Sequence, residues 1–168
     1  MRKPRLDDLA ASAAMWGDPE ITRHITGSPS TTEQSHSRLL RYIGHWAEFQ
    51  FGYWLVEESV SGTFVGEVGF AHYHRDIEPA ITVPELGWVI ARRAQRKGYA
   101  TEAVRAAISW AQRHLAGTDE IACIIAPDNV ASIRVAEKCG FTLARETSYM
   151  NLPTLVYSRP LSAATSCV

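Results

Sequence analysis

The sequence predicts an α+β domain built on a mixed, mostly antiparallel sheet flanked by helices. Three observations predict it. The first fifty residues carry helical apolar spacing; the next forty switch to the two-residue period of strands; and from Glu85 a strand–helix–strand unit is followed by a short helix and two final strands. No repeat, low-complexity tract or Pro/Gly-rich linker interrupts residues 1–168, so one domain is expected.

The elements follow in order. Asp18-Pro19 has the form of a helix cap with proline in the first turn, and Ser30-Thr31-Thr32-Glu33 has capping-box spacing. Beyond it, Leu39, Tyr42, Ile43, Trp46 and Phe49 make one apolar helical face. Tyr53 to Glu58 and Thr63 to Phe70, separated by Ser59-Val60-Ser61-Gly62, read as a hairpin. A polar loop with His72, His74, Arg75 and Asp76 leads to a strand over Glu85 to Ala91. The strongest helix follows, with Ala100, Ala103, Val104, Ala107, Ile108, Ala111 and Leu115 on one face and Gly117 placed to stop it. Ile121 to Ala126 is a wholly apolar run, expected as a central strand. A short helix then runs from Asn129 to about Cys139, with Gly140 ending it. Strands over Phe141 to Thr147 and Thr154 to Arg159 close the chain around a turn at Asn151-Leu152-Pro153.

Composition narrows the function. A net charge of −1 gives no global field for nucleic acid or an anionic membrane, and 46% hydrophobic with 21% charged residues is ordinary for a globular protein. The basic loop lacks the wider basic face and interleaved aromatics of a nucleic-acid module. Cys123, Cys139 and Cys167 form no CxxC pair, which suits a reducing compartment. Asp7 and Asp8 fall where a signal peptide needs an apolar run, and no stretch has the length of a membrane span, so a cytoplasmic protein is expected. His72 and His74 alternate on what reads as one strand face but lack a third ligand nearby, so no metal is expected.

One segment carries chemistry. In Arg92-Arg93-Ala94-Gln95-Arg96-Lys97-Gly98-Tyr99-Ala100-Thr101, four cations crowd into six residues at the start of the long helix. A helix N-terminus is already electropositive, so these charges have the wrong sign for a self-contained helix. An anion on the free N–H groups resolves the conflict, with Gly98 allowing close backbone approach; a phosphate or pyrophosphate is the natural ligand. Solvated surface cations around a simple turn glycine would account for the same residues.

Gln95-Arg96-Lys97-Gly98-Tyr99-Ala100 resembles the Q/R-x-x-G-x-G/A segment of the GNAT superfamily of acyl-CoA-dependent N-acyltransferases. Glu85-Leu86-Gly87-Trp88-Val89-Ile90 resembles the fourth strand of that family. Asn129-Val130-Ala131-Ser132, with Lys138-Cys139-Gly140-Phe141, resembles its second cofactor-binding segment. The Asn-x-x-Ser form and the opening Trp16-Gly17-Asp18-Pro19-Glu20 are most similar to the Rim-type branch, the ribosomal-protein N-terminal acetyltransferases.

The resemblance implies a sheet splayed between the fourth and fifth strands, with acetyl-CoA as acyl donor and an amine as acceptor. The acceptor would be a small molecule or a protein N-terminus, and a homodimer is compatible with the family. Backbone amides from Arg96 to Thr101, with Gln95, would hold the pyrophosphate; Trp88, Val89 and Ile90 would pair with the pantetheine arm. Gly87 fits a bulge or a close backbone approach. Asn129 and Ser132 would face the thiol end, although a helix cap explains Asn129 equally well. The amine needs a proton acceptor at neutral pH; Glu85 is the first choice and Glu67 the alternative. Many relatives carry a tyrosine acid seven residues after the asparagine; Ala136 stands there, leaving Ser132 to hydrogen-bond the departing sulfur. That loss also raises the alternative of a non-catalytic acyl-CoA sensor. Relatives carry a full first strand, whereas here only Met1 to Leu6 precedes the first helix. Aromatics such as Trp16, Tyr53, Trp54 and Tyr73, with His24, His72 and His74, either line an acceptor pocket or fill the core.

Overall fold

A computed structural model describes residues 1–161. Cys167 lies outside the described residues. A 3-10 turn at Leu6–Asp8 leads into helices α1 (Leu9–Trp16), α2 (Pro19–Thr22) and α3 (Thr32–Phe49). Strands β1 (Tyr53–Glu57), β2 (Phe64–Ala71) and β3 (Glu85–Ile90) follow. Helix α4 (Tyr99–His114), strand β4 (Glu120–Ile125), helix α5 (Val130–Lys138) and strands β5 (Thr142–Tyr149) and β6 (Leu152–Pro160) complete the order. The six strands lie in the order β1-β2-β3-β4-β6-β5, all antiparallel except β3 with β4.

The first strand that relatives carry is reduced here to one bridge, Arg2 to Leu55, in line with the short segment before the first helix. The Arg2 guanidinium instead ties Asp8 at 2.6 Å to Glu57 at 2.7 Å, fastening the start of α1 to the edge strand. Asp18 caps α2 by accepting from the Glu20 amide. The α3 capping box lies one residue later than the sequence spacing suggests. Thr31 accepts from the Gln34 amide at 3.2 Å and Gln34 accepts from the Thr31 amide at 2.9 Å. Glutamine fills the third helical position as well as glutamate does. The last hairpin turns at Met150-Asn151, both with φ above +50°, so Leu152 and Pro153 belong to β6 rather than to the turn. Proline is tolerated there because β4 pairs with β6 only from Leu155 onward, which leaves Pro153 an unpaired side.

Strand alternation divides the sheet into two faces. Trp54, Val68, Phe70, Leu86 and Ile90 point into the main core with Val104, Ala107, Ile108 and Ala111 of α4. Trp46 from the end of α3 reaches the same core, edge-on to Trp54 at 5.1 Å and Trp110 at 5.8 Å. Tyr53, Glu67, Gly69, Ala71, Glu85, Gly87 and Val89 occupy the opposite face, under α1 and the first half of α3. That second face carries the polar chemistry.

Candidate active site

Strands β3 and β4 are registered only through Glu85 and Ala122, then diverge. The ladder between β2 and β3 shows what this leaves free. Ala91 donates to the Val65 carbonyl at 2.8 Å, so the pair two residues back, Val89 with Glu67, is also hydrogen-bonded. The intervening Trp88 and Ile90 turn their N–H and C=O groups the other way, into the gap beside β4. Val89 therefore contributes its side chain, packed with Met15, Trp16 and Ile21, while the Trp88 backbone and the Ile90 N–H turn into the gap. The Ile90 carbonyl accepts from the Gln95 side chain at 3.2 Å, which folds the following loop back over the strand end.

That loop passes through a 3-10 turn at Arg92–Ala94 and reaches α4 with Arg96 at φ 62° and Gly98 at φ 88°. No side chain caps α4, and a Cβ placed on Gly98 would meet nothing within 4 Å. Among the described residues, Arg92, Arg93, Arg96 and Lys97 form no ion pair. Tyr99 pins the first turn by donating to Glu58. An open, uncapped helix end ringed by unpaired cations fits a phosphate group. Helix α5 starts at the matching end of β4, where Asn129 accepts from the Ser132 amide at 3.2 Å. Because the two strands are parallel, both helix N-termini flank the mouth of the same gap. His24, on the connection after α2, reaches Asp128 in the β4–α5 loop at 3.0 Å and so links the two sides of the mouth.

On the second face, Glu85 is 5% exposed. It accepts from Arg75 through both oxygens at 2.7 Å, a bidentate pair. Burial alone would lower the Arg75 guanidinium, and the Glu85 carboxylate outweighs it, holding the group above its usual value. The guanidinium also lies 4.2 Å from the Tyr73 ring centre and 5.0 Å from that of Tyr149. Tyr73 donates to the Tyr53 hydroxyl at 3.1 Å, and Tyr53 stacks on Tyr42 with centroids 4.4 Å apart. Burial pushes all three phenols above their ordinary value, so they remain neutral. Gly87 faces this cluster: a Cβ there would run into the Tyr53 hydroxyl. The register past it is unbroken, so Gly87 marks a close approach and not a bulge.

Glu67, the other candidate acid, is fully buried, accepting from Ser12 at 2.7 Å and from the Trp16 indole at 2.9 Å. Burial raises its carboxyl above the usual range despite both donors. It pins α1 to the sheet. Ala136 is wholly buried in the main core. Cys123 and Cys139 are buried, and burial pushes both thiols up, leaving neither as a ready nucleophile. β2 ends at Ala71, so His72 and His74 fall in the loop rather than along a strand. His72 packs against Phe49 and Phe51, and no metal-ligand group exists among the described residues. Trp16, Tyr53 and Trp54 belong to buried clusters, whereas Tyr73 is half-buried beside Arg75. No helix of the described residues is long and apolar enough to cross a membrane.

Sequence reasoning brought together the strand, the loop and both helix starts but missed Arg75 as the partner of Glu85. A loop of nine residues separates the two, and nothing in their spacing signals the contact.

Comparison with known proteins agrees with this geometry. Residues 1–142 match the acetyltransferase (GNAT) domain family. The protein YkkB of Bacillus subtilis (strain 168) is 29% identical over 160 residues, covering 91% of this chain and 86% of its own. The crystal structure of an acetyltransferase from Agrobacterium tumefaciens superposes with a TM-score of 0.80 at 25% identity, covering 94% of this chain and 88% of that one. RimL, a ribosomal L7/L12 α-N-protein acetyltransferase in complex with coenzyme A, superposes with a TM-score of 0.76 over 95% of this chain and 92% of its own. Its identity is 14%, so that likeness speaks for the fold and not for a Rim-type branch. The splayed sheet, the open helix end at Gly98 and the matched family together place this chain in the GNAT acetyltransferase family.

Proposed function

We propose that this protein transfers the acetyl group of acetyl-CoA to a primary amine by direct attack within a ternary complex. One observation carries the reading: two helix N-termini and a strand edge with unpaired amides surround one gap, and the cations at its mouth have no carboxylate partners. Acetyl-CoA supplies the activated acyl carbonyl; the rest falls to the chain. The amides from Arg96 to Thr101, with Arg96 and Lys97, hold the pyrophosphate, and Gln95 shapes that loop by holding the Ile90 carbonyl. Trp88 and Ile90 offer backbone groups to the pantetheine arm. Val89 packs its side chain against α1 and sets the strand's position.

Glu85 accepts the amine proton, and Arg75 orients it through the bidentate pair. Its place on the face under α1 and α3 assigns that face to the acceptor. Glu67 is the weaker candidate because it is wholly enclosed beneath α1, whereas Glu85 keeps a small exposed edge. Asn129 caps α5 and aligns it on the gap, and Ser132, half-buried at that helix start, hydrogen-bonds the departing sulfur. A thiolate needs little more help, since a thiol's ordinary pKa is about 8.5. The Asn129-x-x-Ser132 form keeps the Rim-type branch as the finer assignment.

The buried Ala136, in place of the tyrosine expected of many relatives, favours a second reading as an acyl-CoA sensor. One experiment tests both. Calorimetry should show acetyl-CoA binding weakened at least tenfold by Arg96→Glu with Lys97→Glu, because charge-assisted contacts become repulsive. Wild type should release CoA in the presence of an amine panel. Unchanged affinity removes the phosphate site, and tight binding without turnover favours the sensor.

A further inference from the structure

A cavity of about 390 Å³ opens beside α3, lined by Thr26, Ser28, Ser30, Gln34, Ser37 and the charged Glu33, Arg38 and Arg41. Its two arginines lack carboxylate partners among the described residues. Arg38 is the more telling. Its guanidinium lies flat on the Trp16 indole, 3.7 Å from the ring centre, and one terminal nitrogen donates to the Ser30 hydroxyl at 3.2 Å. The other, Nη1, is buried and has no partner. Burial pulls the guanidinium pKa down, so the site holds a cation at a cost. A buried N–H of a charged group without an acceptor is a costly arrangement, and a bound anion relieves it.

The cavity adjoins the proposed reaction face at both ends. Trp16, beneath Arg38, donates to Glu67, which is registered with Val89 on β3. Arg41 lies 5.8 Å from the centre of the Tyr73 ring, the ring that also carries Arg75, the partner of Glu85. An acceptor whose amine approaches Glu85 can therefore extend its other end over Tyr73 toward Arg41 and Arg38. The planar fork of a guanidinium matches a carboxylate. Glu33, the sole acid lining the cavity among the described residues, lies on the first turn of α3 and is exposed.

We infer that the acceptor is a primary amine that also bears a carboxylate several bonds away, the side-chain amine of free lysine being one example, and that Arg38 and Arg41 hold the carboxylate. This rests on the transfer reading above and sets the chain apart from enzymes acting on polycationic amines, which two unpaired arginines would repel.

The test uses the full chain, acetyl-CoA and matched acceptors: free amino acids, their amides, spermidine, kanamycin and a basic hexapeptide. CoA release gives kcat/KM for each. The amides hold more neutral amine at pH 7 than the free acids do, so the comparison is biased against the inference. The best amino acid should still exceed its amide by about tenfold or more. Arg41→Gln, at an exposed position, and Arg38→Gln should shrink that ratio toward one, chiefly through KM. An amide, spermidine or kanamycin used equally well, or a ratio unchanged in both variants, overturns the inference while leaving acetyl transfer intact. Thermal shifts with N-acetylglycine and N-acetylglycinamide provide an arm that needs no turnover. If no amine is acetylated, stabilisation by the acid alone, lost in Arg41→Gln, supports the anion site and sinks the transfer reading; equal shifts sink the anion site.

Discussion

Replacing Arg75 with methionine isolates the buried ion pair that holds Glu85. Methionine keeps much of the stem's volume but removes both donors, leaving a carboxylate that is 5% exposed without partners. Removing one member of a buried pair costs about 3–5 kcal/mol. Arg75 itself retains 19% side-chain exposure, which lets water reach part of the vacated space and argues for the low end. Lost cation–π contact with Tyr73 and Tyr149 adds about 0.5–1 kcal/mol each. For a chain of 168 residues each kcal/mol lowers Tm by about 2–4 °C, so a total of about 4–5 kcal/mol predicts a loss of about 8–20 °C in circular dichroism melts at pH 7. Protonating the stranded carboxylate removes the penalty, so the deficit should shrink as pH is lowered toward 4. Adding Glu85→Gln to Arg75→Met should recover a large part of the loss, because the double variant buries no lone charge. A loss under about 2 °C, independent of pH and unchanged in the double variant, would refute the description of Glu85 as a paired, buried anion.

Glu85→Gln alone should lower turnover far more than acetyl-CoA affinity and should remove the acid limb of the pH–rate profile; identical profiles would exclude it as the proton acceptor. Glu67→Gln should be tolerated, since the Ser12 hydroxyl can accept from the new amide while Trp16 donates to its oxygen. Because burial raises the Glu67 carboxyl, ionising it costs stability, and that cost grows as pH rises from the unfolded toward the folded pKa. The Tm of wild type minus that of Glu67→Gln should therefore fall between pH 4 and 7, and a flat difference would contradict the assignment. Gly87→Ala should cost about 1–3 kcal/mol by forcing Tyr53 off its stack on Tyr42. Tyr53→Phe removes the atom that is struck, so the pair of changes should cost less than their sum, and strict additivity would rule the contact out.

Local patterns carried most of the fold into view. Helix α4 announces itself through seven apolar positions on one stripe, and β4 through an unbroken apolar run, because burial on one or both faces leaves its period in the chain. Boundaries were less legible where two neighbours qualified. Thr31 and Ser30 both have capping side chains, and the reciprocal bonds with Gln34 fall to Thr31; Leu152-Pro153 reads as a turn until pairing with Tyr149 and Ser148 places it in β6. The phosphate-binding loop was legible because its charges violate the helix dipole, a local contradiction. The acceptor side was not. Arg75 with Glu85, and Arg38 on Trp16, are meetings between elements, and a lone arginine in a polar loop or on a helix carries no mark of its future neighbour.

The single registration between Glu85 and Ala122 makes the sheet a lever with its fulcrum at one end. From that point the strand runs on to Ile90, about 16 Å at a rise of about 3.3 Å per residue. Each degree of rotation there moves the far end of the jaw by about 0.3 Å. Five degrees shift it by about 1.4 Å, half the length of a hydrogen bond. Side chains packed around Ala122 thus set the width of the opening at Ile90, and small volume changes at this pivot should be felt most at its tip.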